Sequence, residues 1–334
     1  MDDPLSSAAA IDWPTVLAMV LRRREQVDPA ELAAAFGTGR EVFEAARATL
    51  TAEGYLLTDA DGWRLQAVPD RLFPREIRAG LACSLLGRTI VHHDVVGSTN
   101  DIARQLARQG APEGTVVVAE AQTAGRGRLG RGWQAAPGTG LLLSVVLRPT
   151  LAAQRLAWLP VLAGVAAARA IGRASGLHCG LKWPNDLLLD GRKVAGILVE
   201  MHSEADRAHL VVVGIGINVN QTAAELTGKL ARSATSLALA AGRPVGRVAL
   251  AQALLEELEE GYRLLLAGGW PIIRERWTAG SATLGRRVRA VVGDRVLSGV
   301  ATGLDESGAL VVETSQGVQR VWAGEVALVR HRSS

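Results

Sequence analysis

Between two short apolar runs, residues 187–189 and 194–200, the chain carries the dipeptide Asp190-Gly191. Asp-Gly favours the left-handed backbone of a two-residue hairpin turn, so the runs on either side are expected to pair as antiparallel neighbours. Other β-like runs, at 116–121, 141–147 and 210–217, are interspersed with helical patterns at 101–109, 156–175 and 250–267. A doubly wound sheet needs strict alternation of strand and helix, which a central hairpin breaks. The region from about 89 to 278 therefore reads as α+β.

The flanks carry other patterns. Residues 11–24 set Val16, Leu17, Val20 and Leu21 at helical spacing, and residues 29–36 form a short second helix stopped at Gly37-Thr38-Gly39. Residues 40–52 place Val42, Phe43, Ala46 and Leu50 on one face, and residues 55–58 and 63–65, joined by a turn over 59–62, predict a hairpin. Three helices and a β wing outline a winged helix-turn-helix. Residues 66–88, with Pro69 and Pro74, read as a polar-to-mixed connector. After Thr283 come short strands at 288–292, 295–302, 309–313 and 319–329, a pattern that suggests a small all-β barrel. At about 150 residues per domain, 334 residues accommodate this division, taken as 10–66, 70–279 and 280–331.

The longest apolar run, residues 156–168, contains Pro160, lies between Arg155 and Arg169, and is too short to cross a bilayer. The start, Met1-Asp2-Asp3-Pro4, lacks the basic and apolar regions of a signal peptide. Cys83 and Cys179 fit neither a metal motif nor a disulfide framework. A soluble cytoplasmic protein without membrane contact is the expectation. Residues 1–70 carry six arginines and twelve acidic side chains, net −6, whereas residues 71–334 carry 31 basic and 21 acidic side chains, net +10. The helix at 40–52 sets Arg40 and Arg47 against Glu41 and Glu44, a poor match for the phosphate backbone. That charge favours a packing or partner-contact domain over a DNA reader.

Four segments carry chemistry. In Gly125-Arg126-Gly127-Arg128-Leu129-Gly130-Arg131-Gly132, directly after an apolar strand, glycines let the backbone approach a ligand and arginines supply permanent charge for phosphate or carboxylate. It is not a P-loop, because no Gly-Lys-Ser/Thr closes it. In Lys182-Trp183-Pro184-Asn185-Asp186 the lysine ends a short strand and either faces a cleft or sits on an exposed turn. In Val213-Gly214-Ile215-Gly216-Ile217-Asn218 the glycines interrupt a strand, which marks a bulge or the close approach of another group. In Gly97-Ser98-Thr99-Asn100-Asp101, Ser98 and Asp101 fit a capping box, and the same helix start suits a polar ligand. His92-His93-Asp94 has no further ligand at metal spacing, so no metal site is expected. This inventory suits chemistry by positioning and charge stabilisation, such as nucleotidyl transfer.

In this order the four segments resemble the biotin protein ligases of the bifunctional type, which carry an N-terminal winged helix. The resemblance implies a class II synthetase-like α+β ligase domain and a C-terminal SH3-like β-barrel. It implies that biotin and MgATP give biotinyl-5′-AMP, and that biotin then passes to a lysine of a biotin carboxyl carrier protein, of acetyl-CoA carboxylase or a related carboxylase. Carried over by position, Ser98, Thr99, Asn100 and Gln122 hold the biotin head group, with Arg126, Gly127, Arg128 and Lys182 also on biotin. Arg126, Arg128, Trp133, Lys182, Asn185 and Asn218 meet ATP or the adenylate, with Trp133 stacking on adenine. Lys182, Arg128 and Lys193 are the catalytic set. The family often pairs, so a homodimer is plausible. Residues 324–330 run one residue longer than the family's usual ending, which leaves the place of Arg330 open. A lipoate or octanoate ligase, and a repressor that senses biotinyl-AMP without ligating, are the alternatives.

Overall fold

A computed structural model describes residues 11–59, 62–202, 210–228, 230–292, 295–322 and 324–328. Arg330 and part of the turn over 59–62 lie outside the described residues. The chain forms two compact units, residues 1–70 and 71–334.

The first unit holds α1 (Trp13–Arg23), α2 (Pro29–Phe36), α3 (Arg40–Ala52), β1 (Leu56–Thr58) and β2 (Arg64–Ala67). Asp12 caps α1 by accepting from Thr15 N at 3.2 Å, and Asp28 caps α2 by accepting from Ala30 N at 2.7 Å, each satisfying a free helix N–H. Leu17, Leu21, Phe43 and Leu50 close a small core, with Trp13 and Phe36 edge-on or tilted around Phe43. β1 and β2 pair antiparallel. Both arginines of α3 are engaged: Arg40 with Glu44 at 3.1 Å, and Arg47 with Asp59 at 2.7 Å.

The second unit begins within the expected connector, and here the sequence reading needs correction. Residues 71–88 are part of the core. They contain α4 (Pro74–Ala79), and Leu72, Ile77 and Leu86 are buried. Interleaved arginines hide this apolar content when the segment is read by composition.

There follow β3 (Ile90–Val96), α5 (Thr99–Arg108), β4 (Val116–Gln122), β5 (Gly140–Leu147), α6 (Leu159–Ser175), β6 (Gly180–Lys182), β7 (Asp186–Leu189), β8 (Arg192–His202) and β9 (Leu210–Asn218). Their seven strands form one sheet in the order β3-β4-β5-β9-β8-β7-β6, parallel at β3–β4 and antiparallel elsewhere. Asp190 (φ 48°) and Gly191 (φ 73°) make the expected hairpin turn between β7 and β8. α7 (Leu230–Ser233), α8 (Leu237–Ala241), α9 (Arg247–Leu266) and α10 (Trp270–Ala279) complete the domain.

Side chains alternate across strands, so each strand feeds two faces. Val116, Val118, Val145, Val211 and Val213 pack with α6 and α9, whereas Val117, Val146 and Val212 pack with Ala103 and Ala107 of α5. α6 belongs to the helical stretch Ala153–Ser175, long and apolar enough by composition to cross a membrane, yet 67% of its most apolar window is buried in this core.

β10 (Arg287–Val292), β11 (Arg295–Leu304), β12 (Leu310–Thr314), β13 (Gly317–Val321) and β14 (Glu325–Leu328) form a C-terminal antiparallel sheet in the order β13-β12-β11-β10-β14. The single strand expected over 319–329 is two strands, because Gly324 turns the chain at φ +135° and β14 crosses to pair with β10. This sheet is fastened to the domain that precedes it. Trp158 stacks on Trp270 at 4.7 Å and donates from Nε1 to Glu306 O at 3.1 Å, and Trp183 N donates to Thr283 Oγ1 at 2.9 Å.

Candidate active site

Two cavities meet over the sheet's polar end. The larger, about 1100 Å³, is lined by Arg128, Arg131, Lys182, Asn185, Asp186, Lys193, Asn218 and Arg232 with part of β14. The smaller is a slot of about 40 Å³ lined by Ser98, Thr99, Asn100, Gln122, Arg126 and the glycines of β8 and β9. Gly127, Trp133, Asn185 and Lys193 line both, so the slot opens directly into the cleft.

Pairing of β6 with β7 sets Lys182 opposite Asp186, and the hairpin to β8 brings Lys193 to the same carboxylate. Lys193 Nζ lies 2.6 Å from Asp186 Oδ1 and Lys182 Nζ lies 3.8 Å from Oδ2. Arg128 donates from Nη1 to Asn185 Oδ1 at 3.5 Å; burial lowers its pKa, partly offset by the Asp186 charge. Asn185 is held by donating to Ile197 O at 2.9 Å. Three cations around one carboxylate leave a surplus of positive charge for a polyanion.

In the slot, Thr99 N donates to Gln122 Oε1 at 2.7 Å, and the Thr99 hydroxyl lies 3.1 Å from the same oxygen. Ser144 Oγ lies 2.7 Å from Thr99 Oγ1 and donates to Asn100 Oδ1 at 2.6 Å. Asn100 Nδ2 donates to Glu200 at 2.8 Å. The capping box expected between Ser98 and Asp101 does not form: Ser98 makes no side-chain cap bond. Gln122 takes the Thr99 N–H, and Asp101 turns instead to Arg126 and Arg104. A buried cluster of hydroxyl and amide groups of this kind can match a ligand that both donates and accepts.

The glycines of β9 produce no bulge, since pairing with β5 and β8 runs unbroken. They answer close approach: a Cβ on Gly214 would lie 2.1 Å from Asn100 Oδ1, and one on Gly216 2.5 Å from the Trp133 ring. Trp133 thus lies flat on the strand floor, with the Lys193 ammonium 5.4 Å from its ring. Asn218 is buried and donates to Thr235 O at 3.0 Å.

The structure brings Arg128, Trp133, Lys182, Asn185, Lys193 and Asn218 to the cleft, and Ser98, Thr99, Asn100, Gln122, Arg126 and Gly127 to the slot. The sequence reading gave no role to Asp186, Ser144 or Glu200, and gave Asp101 only a place in a helix cap. A signal for Ser144 existed, as a hydroxyl within the apolar run of β5. His92 and Asp94 turn to Glu120 and Arg71, and among the described residues no group of three His, Cys, Asp or Glu could hold a metal.

Two family models match the chain: the biotin/lipoate A/B protein ligase family over residues 93–218, and the biotin protein ligase C-terminal domain over residues 283–329. The chain is 40% identical over 267 residues to the bifunctional ligase/repressor BirA of Bacillus subtilis, covering 80% of this chain and 82% of that protein. It is 36% identical over 240 residues to the biotin–[acetyl-CoA-carboxylase] ligase of Mycobacterium tuberculosis, covering 70% and 86%. The solved biotin protein ligase of Aquifex aeolicus in complex with biotin and ATP matches with a TM-score of 0.64 at 30% identity, over 73% of this chain and 99% of that one. With the cationic cleft, the slot beside it and a relative of this identity along most of its length, the chain belongs to the biotin protein ligase family.

Proposed function

We propose that this chain activates biotin with MgATP and transfers it to a lysine of a biotin carboxyl carrier protein. The observation that carries the reading is the shared wall of slot and cleft. A ring held at Ser98, Thr99, Asn100 and Gln122 directs its carboxylate past Gly127 and Lys193 toward a nucleotide in the cationic cleft.

A carboxylate oxygen attacks the α-phosphorus, the bond to the β-phosphate oxygen breaks, and pyrophosphate leaves with the electron pair, giving biotinyl-5′-AMP. Lys182 and Lys193 offset the charge that builds on the phosphoryl oxygens, and Arg128 holds the α-phosphate. The metal ion enters and leaves with the nucleotide as part of the substrate. Trp133 offers an aromatic face to adenine, and Asn185 and Asn218 offer amides to the nucleotide. The carrier's neutral lysine amine then attacks the biotinyl carbonyl, forming an amide while AMP leaves and the nitrogen loses a proton. Arg126, Gly127 and Arg128 in the Gly-Arg loop cover the adenylate and keep water from the mixed anhydride.

On this reading residues 70–279 are a class II synthetase-like catalytic domain and residues 280–331 an SH3-like domain that closes over the nucleotide. Residues 10–66 are a winged helix whose engaged arginines suit protein contact better than an operator. A homodimer and a cytoplasmic setting, where ATP and carrier proteins occur together, accompany the proposal.

The test is pyrophosphate release with biotin and MgATP, followed by streptavidin blotting of an added carrier domain. Expected are biotin-dependent release and labelling of one lysine, collapse in Lys182→Ala, and scattered labelling of bystander proteins in Arg128→Gly. Turnover with lipoate or octanoate but not biotin overturns the reading. So does tight biotin binding without turnover.

A further inference from the structure

Arg126 is the first arginine of the Gly-Arg loop, yet its guanidinium is committed within the protein. Nη1 donates to Asp101 Oδ2 at 2.7 Å and Nη2 to Asp101 Oδ1 at 2.6 Å, a two-pronged match that fixes direction as well as distance. Glu200 Oε1 stands 3.9 Å from Nη2, and the other Glu200 oxygen accepts from Asn100 Nδ2 at 2.8 Å. Arg104, one turn along α5, donates to the same Asp101 at 2.5 Å and holds the carboxylate in place. Arg128 stands in contrast. Its contact is the neutral Asn185 amide, and it faces the cleft.

Both partners of Arg126 belong to elements that build the slot. Asp101 follows Ser98, Thr99 and Asn100 on α5, and Glu200 lies on β8 beyond Ile197 and Leu198, which line the slot. The loop in turn is a closed unit. Trp133 N donates to Gly125 O at 2.8 Å, Gly127 N donates to Arg131 O at 2.6 Å, and Arg126 bridges Gly132. At its root a Cβ on Gly125 would lie 2.5 Å from Trp133 O and 2.8 Å from Gln122 Nε2, so the backbone is pressed against the slot. Fixing Arg126 therefore fixes Trp133 and Arg128 relative to the head-group helix.

We infer that Asp101, assisted by Glu200, is a positioning residue that holds Arg126 as a strut between α5 and the Gly-Arg loop, leaving Arg128 as the loop arginine that meets ligand anions. The inference rests on the ligase reading above and assigns a division of labour within its loop. The strut ties the helix that carries the head-group residues to the loop that covers the adenylate.

The experiment measures, in the full chain, the rate at which biotinyl-AMP leaves the enzyme, together with the biotin KM and the kcat of pyrophosphate release. In Asp101→Asn, escape is expected to rise about fivefold and the biotin KM by a similar factor, with kcat changing less than twofold, the scale of a half-exposed two-pronged ion pair. Arg126→Lys keeps the charge but loses the fork, and should shift escape and KM in the same direction. The reversed pair, Asp101→Arg with Arg126→Asp, should return both toward wild type. If Asp101→Asn fails to fold, Arg126→Lys and the reversed pair decide the matter. Wild-type escape and KM in the folded variants overturn the strut. A wild-type chain that makes no biotinyl-AMP defeats the ligase reading itself, a result distinct from active wild type with insensitive variants.

Discussion

Lys193 places its ammonium 2.6 Å from an oxygen of Asp186, and that carboxylate's second oxygen lies 3.8 Å from the Lys182 ammonium. One acid thus orients two cations that stand eleven positions apart along the chain from β6 to β8. Removing the acid has two opposite consequences. The lysines lose their common anchor, and the cleft becomes more positive. Asp186→Asn is therefore expected to lower kcat for pyrophosphate release about tenfold, through lost alignment, while the KM for MgATP stays level or falls. A steady-state series over MgATP at saturating biotin checks the split. A raised KM with unchanged kcat contradicts the anchoring role.

The seat of Trp133 gives a second prediction. Its ring lies where a Cβ on Gly216 would stand 2.5 Å away, too close for any side chain to share. In Gly216→Ala the strand pairing holds and the mobile partner, the tryptophan, must lift. The variant should stay folded, within about 1–3 kcal/mol of wild type by denaturant titration. Its biotin KM should rise about tenfold, because the displaced ring disturbs both the slot and the cleft. Adding Gly216→Ala to Trp133→Ala should then cost little more than Trp133→Ala alone, since the two act through one contact.

Much of this was legible in the sequence, for identifiable reasons. The Asp190-Gly191 turn declares itself because few dipeptides favour two consecutive left-handed residues, although that its pairing brings Lys193 to Asp186 was not read. The glycines of β9 signalled close approach, but which groups approach them was not legible. Asn100 and Trp133 arrive from α5 and the Gly-Arg loop, far away in sequence. Ser98 and Asp101 had the spacing of a capping box, and tertiary competition overrode it: Arg126 and Arg104 claimed the Asp101 carboxylate. Residues 71–88 misled for another reason. Leu72 and Ile77 are buried beside arginines whose heads stay outside, which composition averages away.

A buried ion pair ties β4 to α9 and predicts the acid limit of stability. Arg247 Nη1 donates to Glu120 Oε2 at 2.8 Å, and Leu72 N donates to Oε1 at 2.8 Å. Burial alone would raise the Glu120 carboxyl, but the His92 hydrogen bond and the Arg247 charge outweigh it and hold the pKa at about 2, against 4.5 when unperturbed. Glu259 is likewise lowered from 4.5 to about 2: burial opposes the shift, and the N–H groups of Leu86, Ser84 and Leu85 overcome it. Between these values the unfolded chain binds more protons than the folded one, so stability rises with pH there. The contribution is complete above the unfolded value of 4.5 and is lost as pH falls toward about 2. Glu120→Gln, which leaves Arg247 without its carboxylate, should cost about 3–5 kcal/mol near neutral pH and flatten the stability profile across that window. Denaturant titrations of both chains from pH 7 downward check it; parallel profiles would assign the acid sensitivity elsewhere.

The first unit supplies the last prediction. Duplex DNA is held by cations that displace condensed counterions, and a recognition helix needs them free. In α3, Arg40 is paired with Glu44 at 3.1 Å, and Arg47 is paired with Asp59 at 2.7 Å and lies over the Trp63 ring at 5.6 Å. Each guanidinium already has an acid beside it, in a region of net charge −6. The full chain, with biotin and MgATP present, is expected to show no salt-dependent shift of duplex fragments at about 100 mM salt. Glu44→Lys with Asp59→Lys releases both arginines and adds two charges. That variant should bind duplexes weakly and without sequence preference, with an affinity that falls as salt rises. Tight, sequence-selective binding by wild type would show that the pairs open on DNA, and would restore a repressor role to the first unit.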